Sequence, residues 1–112
     1  MNNPHRHDRI EELIRELAAT FIETISNRDA LVSVTRVIVS QDEKSATILL
    51  SVLPDSKREQ VLDFIKRNLG ELRTYLMEHM RTHSIPYLDA MIDGGEINRQ
   101  KIDELLLGDK DR

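Results

Sequence analysis

Apolar positions near the start of the chain recur with a helical period. Ile10, Leu13, Ile14, Leu17, Ala18, Phe21, Ile22 and Ile25 follow the i, i+3, i+4, i+7 spacing that paints one face of a helix. Asp8, with Glu11 three residues on, has the spacing at which carboxylates take up free first-turn amides, so a helix is expected from there to Ser26-Asn27. The period then changes. Leu31–Ser40 is dense in β-branched residues (Val32, Val34, Thr35, Val37, Ile38, Val39) and reads as a strand. Its apolar phase slips between Val34 and Val37, which implies a strand that is either central or bulged. Gln41-Asp42-Glu43-Lys44 reads as a turn, and Ala46, Ile48, Leu50 and Val52 then place an apolar set on one face of a second strand that Pro54 stops. So short a link makes the pair an antiparallel hairpin.

Ser56 and Glu59 again stand at capping-box spacing, opening a long helical region with the stripe Leu62, Ile65, Leu69, Leu72, Leu76 and Met80. One glycine falls inside it, in Asn68-Leu69-Gly70-Glu71-Leu72-Arg73. A glycine in a helix interior costs about 1 kcal/mol relative to alanine, so a bend near Gly70 is expected. Close helix–sheet packing is the alternative reason for it. At about 100° per residue, Lys66, Gly70, Arg73 and Met77 share the flank of the apolar stripe, with Arg67 further toward solvent. A short strand, Leu88–Ile92, follows Ser84-Ile85-Pro86 and ends at Asp93-Gly94-Gly95; Ile97, Ile102, Leu105 and Leu106 mark a closing helix. Because the third strand is reached through helix, it can pair parallel to a neighbour. The stripes predict an α+β fold in which a three-stranded mixed sheet carries its helices on one face.

Composition narrows the possible functions. At 112 residues the chain is expected to be a single domain, with a core from about residue 9 to 106 and charged, frayed ends. There are no cysteines, which removes disulfides and thiolate metal sites. No apolar run approaches the ~20 residues of a membrane span and no signal-peptide core is present, so a soluble, cytoplasmic protein is expected. Monomer is the expected state, because the apolar stripes leave no long seam uncovered. Net charge is −4, yet residues 57–83 hold six Lys/Arg against four Asp/Glu and form the one cationic block. No nucleophile–base arrangement, phosphate-cradling loop or HExxH pattern occurs, so neither an enzyme nor a small-molecule substrate or cofactor is expected. His79 and His83 have a helical metal-ligand spacing but no third ligand, and Asp42-Glu43 reads as turn chemistry, so no metal is expected. Phe21 and Phe64 read as core, and Tyr75 and Tyr87 do not complete an exposed stacking sheet.

The order of elements, with Val34-Thr35-Arg36-Val37, Ser40-x-Asp42 and Ala46, resembles the first strand, turn and second strand of the bacterial ribosome-binding factor A family. Gly70-x-x-Arg73 with Leu76 is similar to the family's helix–bend–helix, Pro86-x-Leu88 and Asp93 to its third strand, and Ile102-x-x-Leu105-Leu106 to its closing helix. Asn68 stands where the family usually carries a small residue, Ala90 where it often has an aromatic, and Asn27-Arg28-Asp29 only echoes an aspartate-proline-arginine. The resemblance runs from about Arg9 to Leu106. It implies a compact variant of the type II KH fold, ordered α-β-β-α(bend)α-β-α. It also implies a non-enzymatic assembly factor that binds the immature small ribosomal subunit and supports maturation of its ribosomal RNA. An ordinary KH module clamps single strands with a GXXG loop, which this chain lacks. RNA contact is therefore expected through shape and phosphates, at Lys66, Arg67, Asn68, Gly70 and Arg73 near the bend, extended by Arg6, Arg9 and Arg81. Amides freed at a helix break add to such a surface. The competing reading is a protein–protein adaptor on a KH scaffold, its acidic ends facing a basic partner. Charge reversal at Arg67 and Arg73 separates the two.

Overall fold

The computed structural model describes residues 4–81 and 84–107, with the side chains of 4–6, 95–98 and 107 outside that description. Expectations placed on the side chains of Arg6, His83 and Ile97 fall outside it too. The elements are α1 (Pro4–Ile25), β1 (Leu31–Val39), β2 (Ser45–Leu53), α2 (Arg58–Arg67), α3 (Leu69–His79), β3 (Tyr87–Ile92) and α4 (Gly95–Leu107). A single 3-10 turn, Asp55–Lys57, precedes α2. This is the order that the KH-like resemblance implies.

The sheet runs β1-β2-β3, antiparallel across the hairpin and parallel between β2 and β3. β1 is thus an edge strand, and its phase slip is a bulge between Val34 and Arg36. With that extra residue absorbed, Val34, Val37 and Val39 join Ala46, Ile48, Leu50 and Ala90 on one face, where they meet Ile14, Ala18, Ile22, Ile65, Leu72 and Leu76 of the first three helices. Phe21 and Phe64 pack against this cluster half-buried. The reverse face is not bare, since Ile38 and Leu49 are buried there at 4% and 0% exposure.

Two expected caps are not the ones used. α1 starts at Pro4, ahead of Asp8, and Glu11 reaches across to the sheet, where its carboxylate accepts the Val39 amide at 2.8 Å. His7, one turn earlier, stands 2.9 Å from the Val39 carbonyl through Nε2, so α1 grips both backbone groups at the end of β1. The Ser56–Glu59 box is pre-empted by the 3-10 turn, whose Asp55 pairs with Arg58 at 3.2 Å, and α2 begins without a side-chain cap. The 41–44 link behaves as expected. Asp42 accepts from the Ser40 hydroxyl (2.7 Å) and the Lys44 amide (3.0 Å), and Glu43 takes the left-handed conformation at φ 61°.

Candidate nucleic-acid interface

The helical region is interrupted at Asn68, two residues before the glycine. Asn68 has φ −104° and ψ 7°, outside the helical range, and it separates α2 from α3. Its side chain makes the break tolerable: Nδ2 donates to the Phe64 carbonyl at 2.8 Å, satisfying one of the last acceptors of α2. Its own carbonyl accepts the Leu72 amide at 2.9 Å and starts the hydrogen-bond ladder of α3. Gly70 lies inside α3 and is exposed. A Cβ built there would meet nothing within 4 Å, so close helix–sheet packing does not explain it. The backbone beside the break is simply bare.

The cations around this break have different situations. Arg67, the last residue of α2, is exposed and makes no side-chain bond among the described residues. With Lys57, Gln60, Val61 and Phe64 it lines a cleft of about 130 Å³ against Ser26, Asn27, Asp29 and Ala30, which connect α1 to β1. Lys66 reaches β3 instead, with Nζ 3.9 Å from a carboxylate oxygen of Asp89. Arg73 is fixed on three sides. Its Nε donates to the Pro86 carbonyl (3.2 Å), Nη2 donates to the Ile85 carbonyl (2.8 Å), and the guanidinium carbon lies 4.9 Å from the centre of the Tyr87 ring. Neither Glu71 nor Asp89 is its partner. Ile85 and Pro86 are buried just before β3, where no strand ladder serves their carbonyls, so a positively charged donor is well placed there.

Arg81 and Arg9 are both exposed, Arg81 just past α3 and Arg9 on α1. The structure therefore gathers Lys66, Arg67, Asn68, Gly70 and Arg73 around one helix interruption, and places Arg9 on a different helix. The sequence shows no multi-aromatic stacking sheet, but Tyr87 by itself is 74% exposed, with its ring against Arg73. Its position directly after Ile85-Pro86 gives no sign of that pairing.

Chemistry has little foothold. Among the described residues no three His, Asp or Glu side chains could together hold a metal ion. His79 hydrogen-bonds the Tyr75 carbonyl at 2.8 Å and stacks on that ring at 4.0 Å. The cleft beside Arg67 is smaller than the ~300–1,000 Å³ of ordinary small-molecule pockets. A shallow, open trough of about 890 Å³ between the end of α1 and β1 includes Glu23 and Asp29 in its lining but no histidine. Away from the interruption, Arg15 hydrogen-bonds the exposed Glu12 on α1 and holds its pKa below the ordinary carboxylate value. No helix among the described residues is long and apolar enough to cross a membrane.

Comparison with known proteins bears on family and fold. The family model described as "Ribosome-binding factor A" matches residues 6–106. The chain belongs to the ribosome-binding factor A family. A family member from Thermosipho melanesiensis is 30% identical over 112 residues, covering 95% of this chain and 90% of its own length. The solution structure of a ribosome-binding factor A from Thermotoga maritima, described there as putative, superposes with a TM-score of 0.69 at 24% identity, over 86% of this chain and 95% of that one. A homology model of Thermus thermophilus ribosome-binding factor A, fitted into a cryo-EM map of its complex with the 30S subunit, gives a TM-score of 0.66 at 19% identity, over 74% of this chain and 90% of that one. At these identities the two structures speak for the fold alone.

Proposed function

We propose that the chain is a small-subunit assembly factor. It binds the immature small ribosomal subunit and its ribosomal RNA, supports maturation of that RNA, and catalyses no reaction of its own. It acts in the cytoplasm as a single-domain monomer. The observation that carries this reading is the helix interruption at Asn68 within a chain of this family, flanked by the exposed, unpaired Arg67 at the end of α2 and the exposed bare backbone of Gly70 at the start of α3. Phosphates neutralised by such a surface release counterions, so affinity is salt-dependent even though the protein is acidic overall. Lys66 and Arg81 extend the contact, Asn68 holds its shape, and Arg73 positions the surface by holding the β3 approach. Arg6 and Arg9 add charge from α1. Co-sedimentation tests the reading. The protein is expected to travel with free small subunits and not with assembled ribosomes, and to fall away as salt rises. Equal binding to both, or binding that salt does not weaken, sinks it.

A further inference from the structure

Resting on that function, we propose that Tyr87, backed by Arg73, is a stacking platform for one unpaired nucleobase of the ribosomal RNA. Tyr87 opens β3, where its amide donates to the Lys44 carbonyl at 2.9 Å and fixes the backbone beneath the ring. The ring itself is 74% exposed, which is unusual for so large an aromatic side chain. One of its faces is taken by the Arg73 guanidinium at 4.9 Å. Two hydrogen bonds, to the Ile85 and Pro86 carbonyls, anchor that guanidinium and keep it from swinging away. The ring is therefore held as a flat plate with solvent on its other side.

The cation matters electronically as well as mechanically. An aromatic face carries partial negative charge, which opposes face-to-face stacking of a second ring. A fixed guanidinium behind the plate draws that charge away and makes the free face a better seat for a purine. The neighbourhood suits a strand of RNA better than a protein. Gly70 and Met77 lie three and four residues from Arg73 on the same side of α3; one offers bare backbone, and the other an apolar side chain that is 55% exposed. Arg81 follows at the end of α3, and Asp89, two residues along β3, has Lys66 Nζ at 3.9 Å. A base flipped out of the subunit's RNA would meet an aromatic plate with unneutralised cations around it.

The test uses two readouts on the full-length protein. There are two tyrosines and no tryptophan, so in a Tyr75→Phe background Tyr87 is the sole strong fluorophore. A short oligoadenylate should quench it, and a duplex of the same length should not. In co-sedimentation with free small subunits, Tyr87→Thr, which suits a strand, should lose affinity about tenfold, as expected for one stacked base. Tyr87→Trp should retain it. If wild type binds subunits but Tyr87→Thr binds equally well, stacking is overturned and the assembly function stands. If Tyr87→Thr loses subunits while oligoadenylate leaves the fluorescence unchanged, the contact is with protein and the proposal is again overturned. Wild-type protein that binds no subunits removes the function and this inference together.

Discussion

The two flanks of the helix interruption carry similar cations and use them in opposite ways. On the α2 flank, Arg67 and Lys57 border a cleft and face solvent without a partner among the described residues. On the β3 flank, Arg73 is engaged by two carbonyls and a ring, and Lys66 leans on Asp89. Residues 57–83 formed one cationic block in the sequence, yet the fold divides it. What decides the division is the backbone nearby: the turn into β3 buries two carbonyls that no ladder can serve, whereas the α2 flank presents no such need. The cations around the interruption are thus of two kinds, one holding backbone in place and one left without a side-chain partner among the described residues.

Arg73→Ala tests this division most severely. Removing a charged donor from two buried carbonyls is expected to destabilise the protein by about 2–4 kcal/mol, lowering the thermal midpoint by on the order of 10 °C. Lysine should restore only part of this, because it cannot fork to both oxygens or lie flat on Tyr87. Thermal denaturation followed by circular dichroism gives the answer, and a midpoint within a degree or two of wild type contradicts a structural role. Arg67→Glu should do the converse. Its unfolding free energy should stay within about 0.5 kcal/mol of wild type, while affinity for free small subunits falls about tenfold at low salt. The salt slope should flatten by about one unit if a phosphate contact is lost.

The contrast also shows what the sequence alone can and cannot convey. The helix stripe of α1 and the hairpin were legible, because burial imposes a period that any single element displays; the phase slip of β1 left a central strand or a bulge open, and the path through helix only allowed a parallel third strand. Asn68 was not legible. Glycine announces a helix weakness by what it lacks, whereas the actual break is made by a side chain that finds the Phe64 carbonyl, and an asparagine in a helical pattern gives no sign of that. Glu11 was misplaced for a related reason. It had a plausible local partner, a first-turn amide, and instead serves the Val39 amide 28 residues distant, just as Arg73 serves carbonyls 12–13 residues away. Local spacing cannot rank a distant buried carbonyl above a nearby solvated charge. The resemblance directs attention to the helix interruption, but which of the cations there remain free is a property of the packed structure.

Gly70→Ala is a smaller perturbation with two separable consequences. A Cβ there meets nothing, and the residue is helical, so stability should rise by about 0.5 kcal/mol. If RNA backbone approaches the bare turn closely, subunit affinity should nonetheless drop. A variant that becomes more stable and binds as well as wild type shows that the glycine serves no contact.

The mildest change concerns Lys66, the one cation that belongs to neither kind cleanly. Its 3.9 Å approach to Asp89 is loose and about half exposed, so the pair adds little to stability. Asp89→Asn isolates the charge from the geometry. The Asp89 Oδ1 atom also accepts the Ala90 amide at 2.8 Å, and an asparagine oxygen can keep that bond. Unfolding free energy should therefore move by less than about 0.5 kcal/mol. With its partner neutralised, Lys66 is released toward the ligand and a repelling carboxylate is gone, so affinity for free small subunits should rise by about twofold to threefold at low salt and return to the wild-type value as screening shortens the reach of both charges. A fall in affinity would mean that the Lys66–Asp89 pair shapes the binding surface, which would place Lys66 with Arg73 rather than with Arg67.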